Sequence, residues 1–309
     1  MAAHTPFSHL PLTHPVQGGV PLASRTTWRI GGPARWLLAP ASREELAMLL
    51  ARWPDGLPRM ILGGGINLLI ADSGFPGAVL DLTRGMNRIY TVTESLTPAG
   101  ETLLIHADAG TTTQALAHFV RRMGWSGAEF LAGIPGSVGG ALRMNAGAYG
   151  GQMRDILVEA DLLDPQGRAE SRTPEALSMG YRHCALPAGW LFTGARFRLR
   201  RDDPEKIRER MRGFNQRRRL SQPLELPSAG SVFKNPPSGP KAWELLEQAG
   251  LRGVGRGDAR ISTKHCNFFV NHGQASAGEM RALIDLARAT VEHHSGVVLE
   301  PEVQFAGWE

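Results

Sequence analysis

Two clusters of glycine constrain this chain more than any other feature. Gly63-Gly64-Gly65 follows a short apolar run, and a second group extends from Gly133 to Gly151. The chain holds 37 glycines in 309 residues, about 12% against a usual ~7%. Residues that lack Cβ let backbone N–H groups approach an anion without obstruction, which is how phosphates are commonly cradled. Clustered glycine therefore implies backbone packed against a ligand, and two such loops imply a dinucleotide. Neither loop carries a common signature. Gly63 to Gly65 lacks the Lys-Ser/Thr ending of a P-loop, and Gly133-x-x-Gly136-x-x-Gly139-Gly140 is not the G-x-G-x-x-G of a strand-turn-helix unit.

The surrounding pattern alternates helix and strand. Leu46, Leu49 and Leu50 fall at helical spacing behind Ser42, a good N-cap. Met60 to Leu62 and Ala78 to Leu82 read as buried strands, so the first glycine loop sits between strands. Thr111 to Met123 reads as helix, and Ile156 to Leu163 and Trp190 to Leu199 as sheet strands. A basic helix from Pro204 to Leu220 ends in Arg217-Arg218-Arg219. The last helix is the best signalled: Ser276 and Glu279 form a capping box, Leu283, Ile284, Ala287 and Val291 give an apolar face, and Gly296 closes it. A final strand is expected over Val297 to Phe305, containing Glu300 and Glu302.

Composition excludes several classes. The longest apolar stretch, Met60 to Ala71, is broken by three glycines and Asn67 and falls short of the ~18 residues of a membrane span. Met1 to Gly19 lacks the basic start, apolar core and cleavage site of a signal peptide, so a cytoplasmic protein is expected, with no membrane partner. The two cysteines, Cys184 and Cys266, have no companions at metal-ligand spacing, which supports neither a disulfide framework nor a metal site. The formal charge of +5 points to an anionic partner. No nucleic-acid motif or interleaving of aromatics with arginine is present, so a phosphorylated small molecule is the expected partner, and nucleic acid is not. A monomer is expected.

Ser228-Ala229-Gly230-Ser231-Val232-Phe233-Lys234-Asn235-Pro236 places serine near a lysine and an asparagine, between a glycine turn and a proline. A nucleophilic serine needs a base in reach, and the Gly-x-Ser-x-Gly elbow is absent. A serine that donates a proton fits better than one that attacks.

Six or more motifs, in order, resemble the UDP-N-acetylenolpyruvoylglucosamine reductases, the MurB family. They are Thr26-Thr27-Trp28-Arg29-Ile30-Gly31-Gly32, Gly63-Gly64-Gly65-Ile66-Asn67-Leu68-Leu69, Gly133-Ile134-Pro135-Gly136, Asn145-Ala146-Gly147-Ala148-Tyr149-Gly150, Gly180-Tyr181-Arg182, Ser228 to Pro236, and Leu299-Glu300-Pro301-Glu302-Val303. The resemblance implies an α+β fold: a two-subdomain FAD-binding module of the vanillyl-alcohol oxidase/PCMH type, followed by a smaller α/β substrate-binding domain. The expected boundaries are a lead over 1–20, either loose or an edge strand, FAD-binding subdomains over 21–83 and 84–200, and a substrate domain over 201–309. FAD is expected against Leu62, Gly63, Gly64, Gly65, Ile66, Asn67, Leu68, Gly133, Ile134, Pro135, Gly136, Gly139, Gly140, Asn145 and Gly147. Gly63 to Leu69 contains no histidine or cysteine, so the flavin is expected to be held non-covalently, and His106 reads as a strand position. Only His183 to Gly189 separate Arg182 from the next strand, as in the type II branch, which lacks an inserted substrate-covering loop.

The implied reaction reduces an enolpyruvyl ether, UDP-N-acetylglucosamine enolpyruvate, to UDP-N-acetylmuramate, with NADPH reducing FAD first and leaving before the sugar nucleotide binds. Charge develops beside a carboxylate, where a guanidinium can bind in two-pronged fashion, and Arg182 matches the family's arginine in that role. Ser231 matches the proton donor, with Lys234 and Arg182 as candidates for the charge that supports it. Strand geometry alone leaves Glu300 and Glu302 as alternatives for a catalytic carboxylate; the resemblance selects Glu302. Tyr149, Arg219, Lys234 and Asn235 match ligands of the UDP-sugar, Arg219 standing where some relatives have lysine. The alternative reading on the same fold is a flavin oxidase of a small alcohol or sugar, which would not need Ser231, Arg182 and Glu302 together.

Overall fold

The computed structural model describes residues 5–97 and 100–308, so residues 1–4 of the expected lead lie outside the described residues. The described residues form two compact units, and the chain visits each repeatedly: one holds residues from 5–18, 36–64 and 78–217, the other 19–35, 65–77 and 218–308.

The first unit is organised by a six-stranded antiparallel sheet. Its main path runs Ala169–Arg172, Leu157–Leu163, Leu191–Arg201, Gly100–Asp108, Ile89–Thr97, and Trp125–Ser126 pairs with the end of Leu191–Arg201. Period-two alternation sets its faces. Leu103, Ile105 and Ala107 are buried and lie opposite Leu199, Phe197 and Ala195, which are buried too. This apolar face packs with Leu116, Ala117 and Val120 of the helix Thr113–Arg122, and with Val138 and Leu142 of Val138–Arg143. Thr112 and Ser137 cap these helices, accepting from the amides of Ala115 and Gly140. The helix Arg43–Ala51 forms as its pattern requires, with Ser42 Oγ accepting from Glu45 N at 3.2 Å and Leu46, Leu49 and Leu50 buried. Behind it Arg59–Leu62 pairs in parallel with Ala78–Asp81, and Phe7 is buried against Trp53.

A row of polar groups crosses the same sheet. Asp161, only 6% exposed, accepts from His106 Nε2 at 3.0 Å and Ser171 Oγ at 2.8 Å, with Arg196 3.6 Å away. His106 is the strand position expected of it, stacked on Tyr90.

The second unit has an antiparallel sheet ordered Ser228–Ser231, Phe268–Asn271, Ala259–Ile261, Gly255–Arg256. Its core joins Val232, Phe233 and Phe269 to Leu283, Ile284, Ala287 and Val291 of the helix Ala277–Ser295. That helix has the expected capping box, and Gly296 ends it in the left-handed region at φ 71°. Trp28 is buried in this core and donates from Nε1 to the Phe269 carbonyl at 2.7 Å. The closing strand is shorter than the sequence pattern indicates. It covers Gln304–Ala306 and pairs in parallel with Leu68–Ile70, while Glu300 and Glu302 lie before it. Pro301 makes a single antiparallel bridge with Phe233, flanked by hydrogen bonds from Lys234 N to Glu300 O and from Glu302 N to Val232 O, so proline occupies the position that needs no donor toward this partner.

Asp161 supplies an acid-stability prediction. Burial alone would raise its carboxyl, but hydrogen bonds from His106 and Ser171 and the nearby charges of His106 and Arg196 outweigh that and bring it from 3.8 to about 2. The folded value lies below the unfolded one, so the contribution is present above pH ~4 and is lost as pH falls to ~2, amounting to about 2 kcal/mol. Asp161→Asn should lower stability at pH 7 and flatten its fall between pH 4 and 2, as read by urea midpoints. An unchanged pH slope would remove Asp161 from the acid response.

Candidate active site

The two glycine loops meet through their backbones. A Cβ on Gly64 would lie 2.7 Å from Gly136 Cα, and one on Gly63 would lie 2.3 Å from Ser137 Oγ. Glycine at these two positions is thus required first by loop-on-loop packing, a reason the sequence pattern did not separate from ligand approach. The second loop is pinned from below. Thr113 N donates to Gly136 O, Thr113 Oγ1 donates to the Ile134 carbonyl at 2.5 Å, and Val138 N and Gly139 N donate to the carbonyls of Thr111 and Ala109. Among the described residues no acceptor takes the amides of Gly64, Gly136 or Ser137.

The same unit holds a strained corner. Gly147–Ala148 pairs with Gly151–Gln152, joined by Tyr149 and Gly150 at φ 56° and 88°. Positive φ at both central residues is the pattern of a type I′ hairpin turn, which favours asparagine and glycine. Tyrosine in that region costs on the order of 1–3 kcal/mol. Asn145 (φ 41°) and Arg182 (φ 50°) are left-handed as well. Asn145, 1% exposed, accepts from Arg154 N at 3.0 Å and donates to Gln152 Oε1 and to the Gly180 carbonyl, both at 2.9 Å. Gly180 and His183 exchange hydrogen bonds around Arg182, and both terminal guanidinium nitrogens of Arg182 donate to Gly147 O at 3.3 Å. Tyr149 stacks on Phe214, with Arg217 4.9 Å from its ring. Of the expected residues, this unit therefore gathers Asn145, Gly147, Tyr149 and Arg182 into one hydrogen-bonded corner, and Gly63, Gly64, Gly136, Gly139 and Gly140 into the paired loops. Leu62 is buried at the end of its strand, while Gly133, Ile134 and Pro135 lead into the second loop.

The second unit assembles the serine segment. Gly230 is left-handed at φ 86°, and the pairing shifts register between Ser228 and Ser231, a bulge of the kind that re-aims a side chain. Asn267, 3% exposed, then grips the backbone: Oδ1 accepts from Phe233 N at 2.9 Å, Nδ2 donates to Phe233 O at 2.8 Å, and its own carbonyl accepts from Val232 N. Sequence reasoning missed Asn267, since an asparagine one position before a buried strand carries no local signal. Glu302 N donates to Val232 O at 2.7 Å, and the Glu302 carbonyl accepts from Asn67 Nδ2 at 2.8 Å. One hydrogen-bonded chain thus links three distant motifs: Asn67 (φ 61°), Glu302 and the Ser231 strand. Gly65, two positions before Asn67, accepts from Thr27 N, and among the described residues no partner meets the buried Thr27 hydroxyl.

The remaining expected ligands have local partners in the second unit. Lys234 pairs with Glu300 at 2.5 Å, so of the two carboxylates it is Glu300 that meets the lysine. Asn235 Oδ1 accepts from Ala242 N at 3.1 Å, filling an unsatisfied amide at a helix start. Arg219 is exposed, and its carbonyl accepts from Lys264 Nζ at 2.6 Å. Cys266 is buried beside Glu247, its thiol pushed up to about 12 by burial and that contact, and no group of His, Cys, Asp and Glu among the described residues forms a metal cluster. No helix among the described residues is long and apolar enough to cross a membrane.

Comparison with known proteins places these features in a family context. A model of the C-terminal domain of UDP-N-acetylenolpyruvoylglucosamine reductase matches residues 222–306, and one of an FAD binding domain matches residues 34–171. The chain is 49% identical to the UDP-N-acetylenolpyruvoylglucosamine reductase of Magnetococcus marinus over 301 residues, 97% of this chain and 94% of that protein. It is 44% identical to that of Thiobacillus denitrificans over 296 residues, 93% of this chain and 90% of that protein. A solved structure, the UDP-N-acetylenolpyruvylglucosamine reductase of Thermus caldophilus, aligns with a TM-score of 0.79 at 36% identity, over 94% of this chain and 99% of that one.

The loop-on-loop contact makes a direct prediction. Gly64→Ala should lower stability by about 1–3 kcal/mol and reduce FAD retained on purification, because the new methyl meets backbone. Gly213→Ala, a helix position where a Cβ meets nothing within 4 Å, should be neutral or stabilising by up to ~1 kcal/mol. Equal melting temperatures for the two variants would contradict the packing argument.

Proposed function

The chain belongs to the UDP-N-acetylenolpyruvoylglucosamine reductase family and carries its FAD-binding domain; on that premise we propose that it reduces UDP-N-acetylglucosamine enolpyruvate with NADPH in a ping-pong sequence, Ser231 supplying the proton. The residues present fit FAD. Gly64, Gly136 and Ser137 offer unengaged amides of the kind that cradle a pyrophosphate, and the unpartnered Thr27 hydroxyl lies in a segment bonded to Gly65. Gly63 to Leu69 offers neither histidine nor cysteine for a covalent tether. The flavin, when bound, supplies the hydride.

The protein groups divide the remaining work. Arg182, held by Gly147 O, binds the carboxylate of the enolpyruvyl group and stabilises the enolate that develops beside it. The Ser231 hydroxyl donates the proton to the carbon that the hydride does not take. A serine is a weak acid, so its alkoxide needs nearby positive charge or rapid reprotonation. Glu302, whose backbone is bonded to the Ser231 segment through Val232 O, is the group proposed to return that proton. Tyr149, Arg219, Lys234 and Asn235 are proposed to hold the UDP-sugar, Arg219 and Lys234 as cations toward its diphosphate. The observation that carries this reading is the hydrogen-bonded chain from Asn67 through Glu302 to Val232, which joins the proposed flavin loop to both proposed proton-transfer residues.

Ser231→Ala should leave flavin reduction by NADPH within about twofold of normal, while flavin reoxidation by the enolpyruvyl sugar falls by roughly 10³-fold or more, as for a group that acts only in that transition state. Glu302→Gln should show the same asymmetry. Stopped-flow absorbance of the two half-reactions reads this directly, and equal losses in both halves would exclude the proton-transfer roles.

A further inference from the structure

Two residues of the helix Pro204–Ser221 remain without a part in this chemistry. Phe214 lies flat on Tyr149, with ring centroids 4.6 Å apart and planes 4° from parallel. Arg217, three positions on and so on the same helix face, brings its guanidinium within 4.9 Å of the Tyr149 centroid and 5.1 Å of that of Phe214. Tyr149 also packs on Gly133, where a Cβ would come 3.0 Å from its Cε2.

The helix is itself anchored one turn earlier. Ile207 and Met211 are buried, and Arg210 donates to Glu129 at 2.6 Å. Burial pushes the Glu129 carboxyl up, but the Arg210 and Ser126 hydrogen bonds outweigh it and hold the group below its ordinary range. Glu129 opens the turn Glu129–Gly133, whose last residue is the glycine beneath Tyr149. Helix and turn are thus tied together and converge on one ring, and that ring belongs to a residue in an unfavourable left-handed conformation. Without the stack, a tyrosine at that position would favour leaving the turn.

We propose that Phe214 and Arg217 are positioning residues for Arg182: by clamping Tyr149 they hold the hairpin Gly147 to Gln152, whose Gly147 carbonyl accepts both terminal nitrogens of the Arg182 guanidinium. The clamp acts at a distance from the reacting atoms, through one hairpin. It rests on the reading of Arg182 as the carboxylate-binding arginine, and it adds a reason for glycine at 133: Tyr149 packs there.

The test uses FAD-loaded protein carrying Phe214→Ala, Phe214→Tyr or Arg217→Gln. Amide hydrogen exchange should rise by about tenfold in Phe214→Ala over residues 145–152 and 180–183, stay unchanged over Ala277–Ser295, and return to normal in Phe214→Tyr. Arg217→Gln should give a smaller rise over the same segments. Reoxidation of reduced flavin by UDP-N-acetylglucosamine enolpyruvate should slow by about 10²-fold in Phe214→Ala with reduction by NADPH unchanged, and Phe214→Ala should cost nothing further when added to Arg182→Ala. Unchanged exchange in both segments, or additive losses in the double variant, would overturn the clamp. If wild-type protein fails to reoxidise with this substrate, the proposed reaction falls, and the exchange measurement still decides the clamp.

Discussion

The contact of Gly64 with Gly136 is the constraint on which the candidate site depends. Backbone meets backbone with no room for a methyl group, so each loop fixes the other's path. Because the second loop spends the amides of Val138 and Gly139 on the carbonyls of Thr111 and Ala109 respectively, the amides it leaves over are those of Gly136 and Ser137 among the described residues. Glycine here does two jobs that a sequence cannot separate: it permits the close approach, and it leaves donors uncovered for an anion.

Around that contact the protein places strain where it also places many hydrogen bonds. Asn145, Tyr149 and Arg182 are all non-glycine residues at positive φ, and each is held by partners from another part of the unit: Gly180 and Arg154, Phe214 and Arg217, Gly147. Such conformations persist only where the surroundings over-determine them. The serine segment follows the same logic, with a left-handed Gly230 and a bulge kept in register by Asn267. In both units the backbone is held around one of the polar residues proposed for the chemistry, Arg182 in the first and Ser231 in the second, as placement of a guanidinium and a hydroxyl would require.

Much of this was legible in the sequence because it is local. The helices Arg43–Ala51 and Ala277–Ser295 announce themselves through Ser42 and through the Ser276–Glu279 box, whose signals lie within one turn of the element they start. The buried strands read from their alternation, and the glycine loops from density alone. What stayed hidden is long-range. Asn267 reads as an ordinary residue until it faces Phe233, 34 residues away. The turn at Tyr149-Gly150 lacks the asparagine that usually marks a type I′ hairpin, because aromatic packing on Phe214 replaces local preference. The final strand is shorter than the alternation from Val297 to Phe305 suggests, because pairing is set by partners distant in sequence: Gln304–Ala306 pair with Leu68–Ile70, while Pro301 bridges to Phe233 instead. A chain that returns to each of two units several times leaves no compositional seam to mark the fact.

The proposed reaction takes reducing equivalents from NADPH onto a bound flavin and passes them to an enolpyruvyl sugar nucleotide. An anaerobic spectrum tests it most directly: NADPH is added to the purified yellow protein, then UDP-N-acetylglucosamine enolpyruvate. The flavin band should bleach and then return stoichiometrically with the second addition. A band that bleaches but does not recover with this acceptor, or that recovers only when oxygen is admitted, would contradict it.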